Sequence, residues 1–276
     1  MRRLTWLGLV LVIACGPPPE PAEDAGPLDA GHRDAGVTPR DAGVDAGFDA
    51  GLQAVDAGPR DAGPNHLPVV NAAVVQDRTT VFAGQIVELS LGATDEDGDR
   101  LTFTWTGPGT FFENGTPSAQ RWFSQELTAP AQVTLDVSVT DGRSAPVSRQ
   151  VTVDVTVPHF SDVYGTILSV PVLQGGQCVG CHGSMGSYQI AGVPSVARQQ
   201  LVGADHHRGS ACVNAGLSKM VVAGDPAHSL IYRKMSSTQP AACGDGMPAM
   251  SMVSPAAPLQ YIVTVGSWIG AGALDN

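Results

Sequence analysis

Basic side chains are scarce in this sequence, and they are not clustered. The chain has 15 Lys and Arg against 26 Asp and Glu, for a formal net charge of −11. A surface that binds nucleic acid needs a basic patch, so we expect no nucleic-acid partner. The acidic excess lies in residues 16–157, whereas residues 158–276 balance five Asp against five Lys or Arg. Long-range electrostatic steering should therefore contribute little to docking by the C-terminal part.

A long apolar run and a recognisable hydrolase arrangement are also missing. The apolar run from Leu4 to Ala14 is too short to span a bilayer, and two arginines precede it, so residues 1–15 are predicted to be a secretory signal. Its end, Val12-Ile13-Ala14-Cys15, resembles the bacterial lipobox, which implies lipidation of Cys15. The alternative is an ordinary signal peptide with an incidental cysteine. No Ser-His-Asp or paired-carboxylate pattern stands out to support a hydrolase.

Residues 16–64 contain almost no large apolar side chains. Instead Asp-Ala-Gly recurs at irregular spacing, with Pro between several copies. Such a segment cannot bury enough surface to offset the entropy of ordering it, so we predict a disordered tether spanning roughly 40 Å. The repeats behind a lipobox resemble the tethers of myxobacterial surface lipoproteins. Because Gly16 rather than Asp follows Cys15, the expected location is the outer membrane, facing either the periplasm or the surface.

The pattern changes to alternating apolar and polar residues over residues 65–157. Apolar side chains occupy every second position in three stretches: Leu101 to Trp105, Val133 to Val139, and Val151 to Val157. Strands with one buried face, separated by Asp-Gly turns, predict an all-β immunoglobulin-like sandwich. With no cysteine in this region, the core must rest on apolar packing. We expect Trp105 to be central in that core.

The turn containing Asp95, Asp97 and Asp99 offers a possible calcium site. An EF-hand is excluded because its twelfth position is Thr106, which cannot supply a bidentate carboxylate. The Asp-Gly pair also suits a hairpin turn directly, and we favour that role over weak calcium binding. This turn and the strand after it resemble bacterial surface domains of the polycystic-kidney-disease and cadherin-like type. The resemblance implies a spacer or adhesive module.

Cys178, Cys181 and His182 form a Cys-x-x-Cys-His motif. In an exported protein this motif is typical of covalent haem c attachment, with one thioether from each cysteine and the histidine as proximal iron ligand. A zinc-binding or redox-active thiol pair is the alternative. If haem occupies these thiols, Cys212 and Cys243 are left to form a disulfide, worth roughly 3–4 kcal/mol on the chain-entropy model. A metal-binding or thiol role for Cys212 and Cys243 stays open.

Helical patterns surround this motif in residues 158–276. Apolar spacing predicts a helix over 160–168, capped by Ser161 or Asp162, and a second helix over 259–269. Between them, Asp225 and Pro226 predict a helix that continues to Met235. This order of elements is similar to that of class I cytochromes c. It resembles the monohaem cytochrome c domains fused to myxobacterial surface lipoproteins, which implies a mainly α cytochrome c-like domain.

The distal iron ligand decides what such a domain does. Met247, followed by Pro248, is the first candidate, because the resemblance places the distal methionine in this loop. Met250 and Met252 are alternatives, and the remaining candidates, which stay open, are His206, His207, His228, Met220 or no ligand. The pair His206-His207 is itself interpreted as an exposed turn. Methionine ligation favours an electron carrier that meets a redox partner protein in the cell envelope. A single motif argues against a dihaem peroxidase, so we predict a non-enzymatic carrier, while a haem enzyme or sensor and a surface-adhesion lipoprotein stay open.

Overall fold

The computed structural model of this chain describes residues 64–169, 178–182, 189–206, 209–247 and 257–275. They lie within one compact unit, Ala57–Asn276. The predicted signal segment, the predicted tether up to residue 63, and the alternative ligands Met250 and Met252 lie outside the described residues. Lipidation of Cys15 and the properties of the tether therefore stay predictions.

An immunoglobulin-like sandwich occupies the first part of the described chain. One sheet has the order β3-β10-β9-β6, the second has the order β2-β4-β8-β7, and β1 pairs with β5. All pairs are antiparallel except β3 with β10. The strands are β1 Val69–Val70, β2 Val75–Gln76, β3 Thr80–Phe82, β4 Val87–Ser90, β5 Ala93–Thr94, β6 Thr102–Thr106, β7 Thr110–Glu113, β8 Ala119–Phe123, β9 Ala131–Thr140 and β10 Val147–Thr156.

The predicted alternation of buried and exposed residues is confirmed in the long strands. In β9 the four apolar side chains from Val133 to Val139 are buried, while Thr134 is exposed. In β10 the same holds for Val151, Val153 and Val155. Successive side chains of a strand point to opposite faces, so each of these strands contributes one complete row to the core between the sheets.

The prediction that Trp105 is central in the core is wrong. Trp105 is only half-buried, whereas Trp122 is fully buried and its Nε1 donates to the Pro108 carbonyl at 2.9 Å. The reason lies in the sheet order. β6, which carries Trp105, is an edge strand paired only with β9, whereas β8, which carries Trp122, lies between β4 and β7.

The C-terminal part is built from short helices around a second apolar core. They are α1 Phe160–Val163, a π-helical turn Tyr164–Leu168, α2 Cys178–His182, α3 Pro194–Leu201, α4 Ser210–Asn214, a 3-10 turn Pro226–His228, α5 Leu230–Met235, a 3-10 turn Ala241–Cys243 and α6 Leu259–Gly270. The predicted helix over 160–168 is present as α1 and the π-helical turn. Its four apolar side chains are all buried. None of the helices in the described part of the chain is long and apolar enough to cross a bilayer.

Two predicted helix starts differ from the structure. Helix α1 is capped by His159, whose backbone N–H donates to Asp162 Oδ2 at 2.8 Å, rather than by Ser161 or Asp162. The predicted helix from Pro226 to Met235 is interrupted at Ser229, which has extended backbone. The Ser229 hydroxyl accepts from Val222 N–H at 2.8 Å and donates to the Asp225 carbonyl at 2.8 Å, so it competes with continuation of the helix.

Helix α6 belongs to both cores. Val263 packs in the sandwich core, while Val265, Trp268 and Ile269 pack in the helical core. Thr264 Oγ1 donates to the Ala83 carbonyl of the sandwich at 3.1 Å. The predicted apolar stripe is therefore present, but the helix is buried all round from Ile262 to Ile269, because two layers cover it.

The segment after β8 makes further contacts with the helices. The Leu127 N–H donates to Ser267 Oγ at 2.9 Å, and Tyr232 Oη donates to Glu126 Oε1 at 2.7 Å. Burial, and then the hydrogen bond to Glu126, raise the pKa of Tyr232 to about 12. The Glu126 carboxylate also lies against Gly266, where a Cβ would be 2.5 Å from its Cδ. These contacts fasten the sandwich to α6 at a second point.

Candidate functional site

The Cys-x-x-Cys-His motif forms the short helix α2, Cys178–His182. Cys178 and Val179 pack against the helical core, which includes Phe160 and Ile167. The His182 carbonyl accepts from the Ile190 N–H at 2.8 Å, which fixes the end of the helix to the following segment. The motif is therefore part of the folded helical region rather than an appended tail.

The residues of α2 fit covalently attached haem in their chemistry. Cys178, Cys181 and His182 follow one another on a single helix of five residues, the spacing typical of attachment to one haem. Cys178 and Val179 also contact the apolar helical core, and burial is one of the factors by which a protein tunes a haem. Cys178, Cys181 and His182 remain the residues predicted to hold it.

The segment that carries Met247 is held by several contacts from neighbouring residues. The Met247 N–H donates to the Lys234 carbonyl at 2.8 Å, and Lys234 Nζ donates to the Asp245 carbonyl at 2.6 Å. Gln239 Nε2 donates to the Gly244 carbonyl at 3.1 Å. The Lys234 side chain is only 6% exposed. Lysine is seldom buried this deeply, so the role of Lys234 could not be predicted from residue type.

The predicted disulfide between Cys212 and Cys243 is present in the structure. Its Cα atoms are 4.8 Å apart, and both cysteines are fully buried. It joins α4 to the residue just before the Gly244 to Met247 segment. Cys243 and helix α5 belong to the same apolar cluster against which Cys178 packs. The structure thus places α2 and the anchors of the Met247 segment on one core.

The interpretation of His206-His207 as an exposed turn is wrong for His206. This side chain is only 8% exposed, and its Nε2 is hydrogen-bonded to the Leu217 carbonyl. Cys212 Sγ approaches the same carbonyl at 3.7 Å. His206 is therefore a packed residue beside the disulfide, and His207 lies outside the described residues.

The acidic turn of the sandwich is occupied with internal hydrogen bonds. Asp95 Oδ1 accepts from the N–H groups of Asp97 and Asp99 at 3.0 and 3.1 Å. Arg143 Nη1 lies 3.2 Å from Asp99 Oδ2. One carboxylate oxygen from each of the three aspartates lies within 4.8 Å of the other two. This spacing is compatible with a bound cation, but exposed acidic groups are often this close when no cation is bound. The contacts support the predicted turn, and calcium binding stays a prediction.

His66, just after the predicted tether, is paired with the acidic turn. Its N–H donates to Asp97 Oδ2 at 2.7 Å, and its Nδ1 lies 3.0 Å from Asp97 Oδ1. These hydrogen bonds, with the nearby Glu96 carboxylate, raise the pKa of His66 above its ordinary value and lower that of Asp97. The His66 ring therefore lies against the same turn that carries the possible calcium ligands.

We expect the pH titration of His66 to report this contact. Its pKa in the folded protein should lie above the ordinary value of 6.5, and Asp97→Asn should return it toward that value. Because the folded-state pKa is the higher one, the contact contributes fully below about pH 6.5 and is lost as pH rises through the raised pKa. An NMR titration of the His66 ring protons measures this. A pKa at or below 6.5 in the unmodified protein would contradict the prediction.

Comparison with known proteins gives an assignment for the sandwich. The family model described as "Bacterial Ig domain" matches residues 65–154. Among solved structures, the PKD1 domain of Vibrio anguillarum Epp is 25% identical over 34% of this chain and 99% of that domain, with a TM-score of 0.24. A nucleoside hydrolase-related hypothetical protein from Saccharophagus degradans, associated with carbohydrate metabolism, is 19% identical over 34% of this chain and 26% of that one, with a TM-score of 0.26.

The tandem Ig repeats of Dlar are 12% identical over 34% of this chain and 52% of that one, with a TM-score of 0.26. No match was found among curated proteins. The assignment rests on the family match together with the paired sheets of the structure. Residues 65–154 are therefore a bacterial immunoglobulin-like domain of a type that fits a binding or adhesion module.

Proposed function

We propose that this chain is a non-enzymatic binding protein of the cell envelope, anchored by lipid at Cys15 and working through its immunoglobulin-like domain. The single observation that carries the proposal is the two-sheet sandwich of residues 69–156, of which residues 65–154 match the bacterial immunoglobulin family model. Immunoglobulin-like sandwiches combine a rigid core with variable loops, and such loops are where binding residues concentrate. The predicted tether would hold the sandwich away from the outer membrane.

The proposed binding activity can be tested on liposomes that carry the lipidated chain. We expect these liposomes to be retained on surfaces coated with bacterial extracellular polysaccharide more strongly than liposomes that carry only the lipidated residues 15–64. The comparison matters because the acidic segment by itself could interact with a coated surface through charge. Equal retention of the two preparations on every coating would overturn the proposal.

A second proposed function is the covalent binding of haem c by α2. The observation that favours it is the placement of Cys178, Cys181 and His182 on one short helix joined to the helical core. When bound, haem supplies a reversible one-electron iron couple. Cys178 and Cys181 would hold its edge, His182 would bind on the proximal side, and Met247, or Met250 in its place, would bind on the distal side. A redox partner protein of the envelope would then exchange electrons with it.

Met247→Ala tests the distal assignment. In protein produced with a cytochrome c maturation system, we expect the variant to keep covalent haem, because Cys178 and Cys181 are unchanged. Loss of the thioether should lower the reduction potential and allow carbon monoxide to bind. Absorption spectra and redox titration measure both effects, with Met235→Ala as a control for the loss of a buried methionine. Unchanged carbon monoxide binding in Met247→Ala would contradict the role of Met247.

A further inference from the structure

A groove of about 560 Å³ lies where the sandwich meets the C-terminal helices. Its lining includes the β3–β4 turn, with Phe82 and Gln85, and the first turns of α6, with Gln260 and Tyr261. The groove is in the size range of small-molecule sites, roughly 300–1,000 Å³. Both parts of the fold are needed to form it.

The charges along this groove are balanced. Arg78 Nε lies 3.0 Å from Asp77 Oδ2, and Arg121 Nε lies 3.4 Å from Glu88 Oε1. Each cationic side chain is thus paired with an anionic one, so an ionic ligand would meet a like charge close to each opposite charge. Arg78 donates its Nε–H to Asp77, and a guanidinium has further N–H groups that can donate to a ligand. The rim therefore suits a neutral ligand with many hydrogen-bonding groups.

The groove also contains aromatic surface. Phe82 of β3 and Tyr261 of α6 are both half-buried and are among the residues that line it, and Tyr261 also packs against the helical core. Half-exposed aromatic rings can pack against the C–H faces of a sugar, while guanidinium, carboxylate and amide groups can hydrogen-bond its hydroxyls. Gln85 and Gln260 provide two such amides. Aromatic surface and a charge-balanced polar rim are together the chemistry that recognises a carbohydrate.

The walls are fixed before any ligand arrives. The Thr264 hydroxyl donates to the Ala83 carbonyl, and Gly84 fits closely against the backbone of α6. The Gln85 N–H donates to the Phe82 carbonyl at 2.9 Å and closes the β3–β4 turn. A preformed groove avoids part of the entropy cost of ordering side chains and loops on binding.

We propose that this groove binds a neutral oligosaccharide. The proposal rests on the binding function proposed above and deepens it by naming the site and the class of ligand. Tyr261 supplies the aromatic face, Arg121 and Glu88 supply the polar edge, and the contact between α6 and the β3–β4 turn holds the two walls together.

Calorimetric titration of residues 16–276 with neutral hexaoses, namely cellohexaose, chitohexaose and maltohexaose, tests the proposal. We expect at least one of them to bind, and Tyr261→Ala to weaken it about tenfold, equivalent to about 1.4 kcal/mol. Tyr261→Phe should keep its affinity within about twofold of that of the unmodified protein, because the aromatic ring and its packing are preserved. Arg121→Ala should also weaken binding about tenfold, whereas Arg100→Ala, at an exposed position outside the groove, should have no effect.

Three results would overturn this inference. The first is that no neutral hexaose binds at millimolar concentration. The second is that a uronic acid hexamer binds more tightly than every neutral hexaose. The third is that Tyr261→Ala and Arg121→Ala both leave the affinity unchanged. Failure of the groove and failure of the binding function remain distinguishable. If Tyr261→Ala liposomes are retained on polysaccharide as well as unmodified ones, the protein binds through another surface, and only the groove is rejected.

Discussion

Gly84→Ala should destabilise the protein by about 3–5 kcal/mol, as severe packing changes do. Gly84 has a φ of +87°, and a Cβ there would meet Thr264 Oγ1 and the Gln260 carbonyl oxygen and would lie 2.9 Å from Thr264 N. Two of these three atoms belong to the backbone of α6, so rotation of a side chain cannot relieve the clash. Helix α6 would have to move away from the sandwich, opening both cores.

Gly115→Ala is the matched control for this prediction. Gly115 has a similar φ of +82°, but a Cβ there would have no neighbour within 4 Å. It should therefore show only the penalty for a side chain in left-handed backbone, about 1–2 kcal/mol. Denaturant unfolding measures both free energies. Equal losses in the two variants would show that the contact between Gly84 and α6 does not stabilise the fold.

Removing the Cys212–Cys243 disulfide should lower the free energy of unfolding by about 3–4 kcal/mol. The bridge closes a sequence separation of 31 residues, and the chain-entropy model assigns this amount to a loop of that size. Both cysteines are fully buried, so they are replaced by alanine (Cys212→Ala/Cys243→Ala) rather than by serine, whose hydroxyl group would be buried in the core. The measurement is denaturant unfolding of this variant against the oxidised protein.

The same double variant should also loosen the segment that carries Met247. Cys243 lies one residue before Gly244, so the bridge is one of the anchors of that segment, beside Lys234 and Gln239. Hydrogen exchange of the Met247 amide should become faster in the variant, while that of Val137 in β9 serves as the reference. Addition of a reducing agent should not destabilise the double variant further. A loss below about 1 kcal/mol would mean that the unfolded chain gains little freedom without the bridge.

The sandwich could be predicted from the sequence because its signal is local. The alternation in β9 and β10 survives in the structure, since each strand has one face on a single core. The choice between Trp105 and Trp122 depended on which strand lies at a sheet edge, and sheet order is a property of the whole fold. The same reason explains why the burial of α6 could not be predicted. This helix is buried all round from Ile262 to Ile269 because it contacts both cores, and the periodicity of its sequence does not show a second contact.

The candidate sites divide in the same way. The Cys-x-x-Cys-His motif and the disulfide pair were accessible because each depends on residue type, spacing and count. The burial of His206 and Lys234 could not be predicted from the sequence. The polar neighbours of His206 in the sequence indicated an exposed position, and a lysine on a short helix is usually exposed to solvent. The groove beside Tyr261 was also invisible, because its walls come from segments that lie more than a hundred residues apart.

The place of α6 after the sandwich strands has a consequence for the order of folding. The sandwich core includes Val263, and the Ala83 carbonyl accepts from Thr264, yet both residues are synthesised after the strands from β1 to β10. A chain truncated before residue 259 would therefore leave this core incomplete. Residues 178–182 are also synthesised before α6, so chemical modification of Cys178 can precede the closure of the fold.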